Sequence, residues 1–172
     1  MQSQCADPLH RTIDSAKVVL DRYHLSFEQR KIYEHLLAQP LMPKLIHTMI
    51  RVLEPERTKK FYSEGFGFSI THQLDFPDFT LIYMRNAEDD FELELTYNHD
   101  RTEPYTHGDG YGHYAFVTDD VSAMRNKLEA LGYAPLPIKE FKQDGALLAR
   151  FFFIQDPDGY KIEVLEKWGH YQ

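Results

Sequence analysis

Two histidines and two glutamates recur in the same order along this sequence of 172 residues. His47 precedes Glu94 by 47 positions, and His113 precedes Glu163 by 50 positions. Two imidazole nitrogens and two carboxylate oxygens form a mixed ligand set that suits a divalent metal ion and leaves room for water at an open, catalytic position. Zn²⁺, Ni²⁺, Co²⁺, Mn²⁺ and Fe²⁺ all accept such ligands, so the set does not name the metal. Considered one at a time, a histidine or glutamate of this kind is more often a structural or solvated residue than a metal ligand.

The first histidine and glutamate lie in segments with the pattern of β-strands. Apolar and polar side chains alternate around Glu94, which places Glu94, Thr96 and Asn98 on one polar face. By the same rule, His47 and Arg51 share one face of the preceding strand. A polar face on strands this apolar must meet solvent, a partner or a ligand.

Each half of the main domain, residues 44–172, has the same order of predicted elements. The first module covers about residues 44–100 and contains a helix that starts at Pro55 and ends at Gly65. The second module covers about residues 111–168. In each half, a predicted strand is followed by a helix and then by further strands, so the sequence predicts an α+β fold of paired βαβββ modules. The sheets of the two modules can enclose a shared cleft where the four residues converge.

Residues 1–43 are predicted to form a helical N-terminal extension with no catalytic features. Ser26 and Gln29 have the spacing of a capping box at the start of a helix, and a weaker helix is expected before it. Pro40 and Pro43 end the helical pattern.

The composition excludes several classes of protein. The formal charge of −8, from 27 acidic and 19 basic residues, argues against a nucleic-acid partner. A single cysteine, Cys5, excludes a disulfide scaffold and a cysteine-rich zinc site. No apolar run approaches the roughly 18 residues of a membrane span, and the N-terminus lacks the pattern of a signal peptide. We therefore expect a cytoplasmic protein without membrane partners.

Four runs in colinear order resemble the glyoxalase I family, the lactoylglutathione lyases of the vicinal oxygen chelate superfamily. The runs are LIHTMIRV at 45–52, LELTYN at 93–98, GYGH at 110–113 and DPDGYKIE at 156–163. The last run alone marks only the superfamily, whereas the four together are more specific. The resemblance extends from about Lys44 to Lys167.

The resemblance implies a paired βαβββ fold and one divalent metal per site, held by His47, Glu94, His113 and Glu163. It also implies a homodimer with sites at the interface and ligands drawn from both chains. The short loop between Glu94 and His113 is similar to that of bacterial members, which favours Ni²⁺ or Co²⁺ and leaves Zn²⁺ as the alternative.

The resemblance further implies methylglyoxal detoxification. The substrate would be the hemithioacetal of methylglyoxal and glutathione, and the product S-D-lactoylglutathione, formed through an enediolate. Glu163 would be the main base and Glu94 its near-symmetric counterpart. Arg51, Thr96 and Asn98 would bind the substrate, with Arg51 on a glutathione carboxylate and Asn98 on the peptide.

The chain departs from some family members where glutathione is held. Asp109 stands where some carry a basic residue, and residues 146–149 replace a lysine-rich segment. Alternative functions are another enzyme of the superfamily, such as an epimerase or a dioxygenase, or a small-molecule-binding module. Four further histidines are predicted to be solvated: His72, His99, His107 and His170.

Overall fold

The computed structural model describes residues 26–38 and 43–172 of the chain. The chain divides into two units, Met1–Lys44 and Leu45–Gln172. Among the described helices, none has the length and apolar character needed to cross a bilayer.

The first unit contains helix α1 (Phe27–Ala38). The predicted capping box is confirmed, because the Gln29 amide donates to the Ser26 hydroxyl and the Ser26 amide donates to the Gln29 side chain. The weaker helix expected before α1, and Pro40 after it, lie outside the described residues.

The second unit begins with a module made of one helix and a four-stranded sheet. Its elements are β1 (His47–Arg51), α2 (Pro55–Phe66), β2 (Ser69–Asp75), β3 (Phe79–Arg85) and β4 (Glu92–Asn98). The strand order is β1-β4-β3-β2, with β1 parallel to β4 and the other neighbours antiparallel.

A second module repeats this arrangement. Its elements are β5 (Tyr114–Thr118), α3 (Val121–Ala130), β6 (Lys139–Gln143), β7 (Ala146–Gln155) and β8 (Lys161–Glu166). The strand order is β5-β8-β7-β6, and β5 again runs parallel to β8. The predicted α+β fold of paired βαβββ modules is confirmed.

Helix α2 begins at Pro55, as predicted, but its predicted end at Gly65 is wrong. The helix continues to Phe66, and Gly67, with a φ of 71°, takes the left-handed position that follows. Gly65 instead permits a close approach to α3, since a Cβ atom there would lie 3.0 Å from Cδ2 of Leu128. The glycine is therefore needed for helix packing and not for helix termination.

Two strands, β2 and β6, are not predicted by the sequence pattern. Every residue of both strands is exposed. Each strand lies at the edge of its sheet. A strand that buries neither face lacks the alternation of apolar and polar side chains by which strands are predicted.

One hydrophobic core joins the inner faces of both sheets. Its members include Ile50, Leu93 and Leu95 from the first module and Phe152, Ile154, Ile162 and Val164 from the second. Side chains alternate across a strand, so the neighbouring positions point to the opposite faces. His47, Glu94, His113 and Glu163 occupy these alternate positions and therefore lie on the outer faces of the two sheets.

The turn between β7 and β8 connects the second module to the first. The Asp158 carboxylate accepts hydrogen bonds from the Thr58 hydroxyl at 2.6 Å and from the Leu53 amide at 2.8 Å. Asp156 is buried and accepts one from the Tyr62 hydroxyl at 2.9 Å. These contacts fix the two modules relative to each other.

Candidate active site

His47 and Glu94 lie side by side on the outer face of the first sheet. β1 and β4 are parallel neighbours, and Met49 is the register partner of Glu94. The distance from His47 Nε2 to Glu94 Oε2 is 3.3 Å. The imidazole is 36% exposed and the carboxylate side chain 11%, so the pair reaches the surface while the carboxylate is largely covered.

His113 and Glu163 form the equivalent pair in the second module. His113 immediately precedes β5, and Glu163 is the register partner of Ala115 on the neighbouring strand. The distance from His113 Nε2 to Glu163 Oε2 is 3.1 Å. The two modules therefore present the same His–Glu pair from the same position in the fold.

Tyr83 borders the first pair and was not singled out by the sequence. It lies on β3 as the register partner of Glu94, and its ring meets the His47 ring edge-on at 5.8 Å between centroids and 75°. Burial, the interaction of its hydroxyl with Glu94 and the nearby charge of Glu92 raise the pKa of Tyr83.

Phe153 borders the second pair in the equivalent position. It lies on β7 as the register partner of Glu163, and its ring meets the His113 ring edge-on at 5.3 Å and 73°. The alternation of side chains along β7 is enough to place Phe153 on the outer face. Only the pairing of the strands shows that Phe153 lies opposite Glu163.

A single chain does not bring the four predicted metal ligands into one set. Among the described residues, no group of three or more His, Cys, Asp or Glu side chains is arranged to hold a metal ion. The expectation that the sheets of one chain enclose all four residues is therefore not met. Each pair offers one imidazole nitrogen and one carboxylate oxygen, which is half of a donor set suited to a divalent metal. The complete donor set would form if a His47–Glu94 pair faced a His113–Glu163 pair.

The three predicted substrate-binding residues lie on β1 and β4. Arg51 is exposed and is the register partner of Thr96. The Thr96 hydroxyl is buried and donates to Glu94 Oε1 at 3.2 Å. The side-chain amide of Asn98 donates to the Tyr105 hydroxyl at 2.9 Å. Arg51 is thus presented at the surface, whereas Thr96 contacts a predicted metal ligand.

Of the four histidines that were expected to be solvated, His107 is half-buried, whereas His99 is exposed but also makes structural contacts. The ring nitrogens of His99 hydrogen bond to the Thr80 hydroxyl at 3.0 Å and to the Pro77 carbonyl at 3.1 Å. The His107 ring stacks on Tyr160 at 4.1 Å, and its Nε2 is buried without a hydrogen-bond partner among the described residues. Three of the four are exposed, in agreement with the prediction: His72, His99 and His170.

Comparisons with known proteins agree with this arrangement. Residues 44–164 match the Glyoxalase/Bleomycin resistance protein/Dioxygenase superfamily. The chain is 34% identical over 128 residues to lactoylglutathione lyase of Haemophilus influenzae, an alignment that covers 72% of this chain and 92% of that protein. It is 33% identical over 151 residues to lactoylglutathione lyase of Oryza sativa, which covers 81% and 50%, respectively. The chain spans 36–50% of the length of the curated plant relatives.

Solved structures show the same likeness. The trypanothione-dependent glyoxalase I of Leishmania major is 33% identical with a TM-score of 0.61, over 73% of this chain and 88% of that chain. Glyoxalase I from Zea mays is 30% identical with a TM-score of 0.64, over 71% of this chain and 44% of that chain.

The fold and the paired His–Glu positions define a member of the vicinal oxygen chelate superfamily. Within it, the chain belongs to the glyoxalase I family, the lactoylglutathione lyases. The resemblance found in the sequence is confirmed.

Proposed function

We propose that the chain is a glyoxalase I that isomerises the hemithioacetal of methylglyoxal and glutathione to S-D-lactoylglutathione. The observation that carries this proposal is the equivalent His–Glu pair in each module of a chain from this family. The relatives from Haemophilus influenzae and Oryza sativa carry the name lactoylglutathione lyase, which supports the same reaction. The reaction would detoxify methylglyoxal, and the cytoplasmic location expected from the sequence stays a prediction.

The proposed active form is a homodimer in which the first-module pair of one copy faces the second-module pair of the other. Both pairs lie on outer faces that also expose apolar side chains, including Met49 at 44% and Val117 at 43%. Covering such faces stabilises association. A two-fold interface is self-complementary, so one dimer would contain two complete sites.

The proposed ligands of a divalent metal are His47, Glu94, His113 and Glu163. A bound metal would supply Lewis-acid polarisation of the two vicinal oxygens of the substrate. All three candidate ions accept nitrogen and oxygen donors. The short loop between Glu94 and His113, similar to that of bacterial members, favours Ni²⁺ or Co²⁺ as the proposed ion, with Zn²⁺ as the alternative.

Proton transfer is assigned to the carboxylates. Glu163 would take the proton from the C–H carbon and return it to the neighbouring carbon, with Glu94 in the near-symmetric position. The exposed Arg51 guanidinium would bind a carboxylate of the thiol bidentately. Asn98 would exchange its bond with Tyr105 for one with the peptide of the substrate.

Glutathione is the proposed thiol, and trypanothione is the alternative to be tested beside it. The Leishmania major relative is a trypanothione-dependent glyoxalase I. Asp109 is exposed on the loop before β5 and places a negative charge where some family members carry a positive one. Repulsion by the Asp109 carboxylate would weaken the binding of a negatively charged thiol. It would not weaken the binding of a positively charged thiol.

A metal-reconstituted assay tests the proposal. Chelator-treated protein is mixed with methylglyoxal and either glutathione or trypanothione, and thioester absorbance is followed after addition of Ni²⁺, Co²⁺ or Zn²⁺. Glu163→Gln should abolish turnover with the fold retained. The matched control is Glu166→Gln on the same strand, where the carboxylate pairs with Arg150 at 2.7 Å, away from the His–Glu pair.

The outcomes separate the alternatives. Metal-dependent thioester formation, lost in the Glu163 variant and kept in the Glu166 variant, supports the proposal and identifies the ion and the thiol. Protein that binds metal but forms no thioester with either thiol would contradict it and point to another reaction of the superfamily.

A further inference from the structure

The two carboxylates of the candidate site occupy equivalent positions but have different neighbours. Glu94 accepts a hydrogen bond from the Thr96 hydroxyl at 3.2 Å, besides its contact with His47. Tyr83, the register partner of Glu94 on the adjacent strand, brings its phenol ring beside the His47–Glu94 pair. Glu94 is therefore bordered by two hydroxyl groups.

Glu163 is bordered by apolar side chains at the same two positions. Phe153 is its register partner, as Tyr83 is for Glu94. Leu165, which is 5% exposed, follows Glu163 by two positions, as Thr96 follows Glu94. Among the described residues, the polar contact of the Glu163 carboxylate is the one with His113.

The Tyr83 ring is held firmly enough to orient its hydroxyl. It meets the His47 ring edge-on, and it stacks on the His72 ring with centroids 6.2 Å apart and planes 28° from parallel. The aromatic contacts fix the ring plane, and the strand pairing fixes its position opposite Glu94. The second module has the ring but not the hydroxyl.

Hydrogen bonds to a ligating carboxylate fix its orientation and strengthen metal binding. A carboxylate without such donors changes its position at lower cost. In a reaction that needs one carboxylate to accept a proton, the unrestrained one is better suited to leave its ligating position.

We propose that the Tyr83 hydroxyl is a positioning group that holds Glu94 in place as a metal ligand and so leaves Glu163 as the carboxylate that moves and accepts the proton. This inference rests on the proposed function, because it assumes that both glutamates ligate the metal. The Tyr83 hydroxyl would act beside the Thr96 hydroxyl, which already donates to Glu94.

The first test is a Ni²⁺ titration of chelator-treated protein in competition with a chromogenic chelator. Tyr83→Phe keeps the ring and removes the hydroxyl, and we expect it to weaken Ni²⁺ binding about 10-fold. At saturating Ni²⁺, its kcat should stay close to that of the unaltered protein. The control is Tyr97→Phe, because Tyr97 lies on the opposite face of β4 beside His99.

The second test moves the hydroxyl to the other module. Phe153→Tyr places it opposite Glu163, where we expect it to restrain the base. The kcat should then fall at saturating Ni²⁺, while Ni²⁺ affinity is kept or improved. A merely structural role for either ring does not predict that one variant changes metal affinity and the other changes kcat.

The outcomes distinguish this inference from the proposed function. If Tyr83→Phe and Tyr97→Phe bind Ni²⁺ as tightly as the active, unaltered protein, the positioning role is wrong and the proposed function stands. Unchanged kcat in Phe153→Tyr would likewise contradict the division of roles. If the unaltered protein binds neither Ni²⁺, Co²⁺ nor Zn²⁺, the proposed function itself fails, and this inference fails with it.

Discussion

At the residue scale, Asp156 introduces a carboxyl group into the contact between the two modules. It accepts hydrogen bonds from the Tyr160 amide at 2.8 Å, the Asp158 amide at 3.0 Å and the Tyr62 hydroxyl at 2.9 Å. Burial nevertheless raises the pKa of Asp156 to about 6 from an ordinary value of 3.8. The desolvation of the charged form outweighs the three donors.

This shift predicts a pH dependence of stability. Because the folded pKa lies above the unfolded one, the folded state binds the proton more tightly, and the free energy of unfolding falls as pH rises from about 4 to about 6. The fall attributable to this group is at most about 3 kcal/mol and is complete above that window. Asp156→Asn should remove it, as measured by urea unfolding from pH 4 to pH 8. Asp109→Asn, an exposed carboxyl, is the control; parallel pH profiles for unaltered protein and Asp156→Asn would contradict the assignment.

Single residues could be predicted from the sequence where a local pattern reveals them. His47 and Glu94 stand out because each lies in a distinctive run, and His113 and Glu163 repeat their order. Tyr83 could not be found in this way, because its role depends on register with a strand that follows it in sequence.

At the scale of the element, prediction succeeded where a strand or helix buries one side. β3 alternates buried and half-buried residues along its length, and such a pattern is visible in the sequence. β2 and β6 are exposed throughout, so they form by backbone pairing to a neighbour and leave no apolar signature. Gly65 was misread because a packing glycine and a helix-ending glycine look alike in sequence.

The end of helix α2 provides a test of this last distinction. Gly67→Ala should lower the free energy of unfolding by about 1 kcal/mol, because a φ of 71° disfavours a Cβ atom and nothing else lies within 4 Å of its position. Gly110→Ala is the control, since Gly110 has equally open surroundings without the left-handed φ. Equal stability of the two variants in chemical denaturation would show that the left-handed conformation is not the source of the cost.

At the scale of the whole molecule, the outward placement of the two His–Glu pairs predicts complementation between inactive variants. In the proposed dimer, His47→Ala destroys the first-module half of each site and His113→Ala destroys the second-module half. A mixed dimer would contain one site with both halves intact and one with neither. Random exchange of subunits at equal amounts should therefore restore about a quarter of the unaltered activity.

The measurement is the thioester assay after the two variants are unfolded together and refolded. The control mixes His47→Ala with Glu94→Gln, which damage the same half and should restore nothing. Absence of recovery in a sample where mass spectrometry detects mixed dimers would mean that one chain supplies all ligands of its site.

In the proposed dimer, the core that the two modules share would also separate folding from activity in time. That core forms among the described residues of one chain, and both His–Glu pairs lie outside it. A newly made chain would then complete its fold before a second copy completes the metal site. In the proposed dimer, specific activity would then follow protein concentration through subunit dissociation, while the spectroscopic signals of the folded chain stay constant. The specific activity would be very low at low protein concentration and would increase as the protein concentration rises.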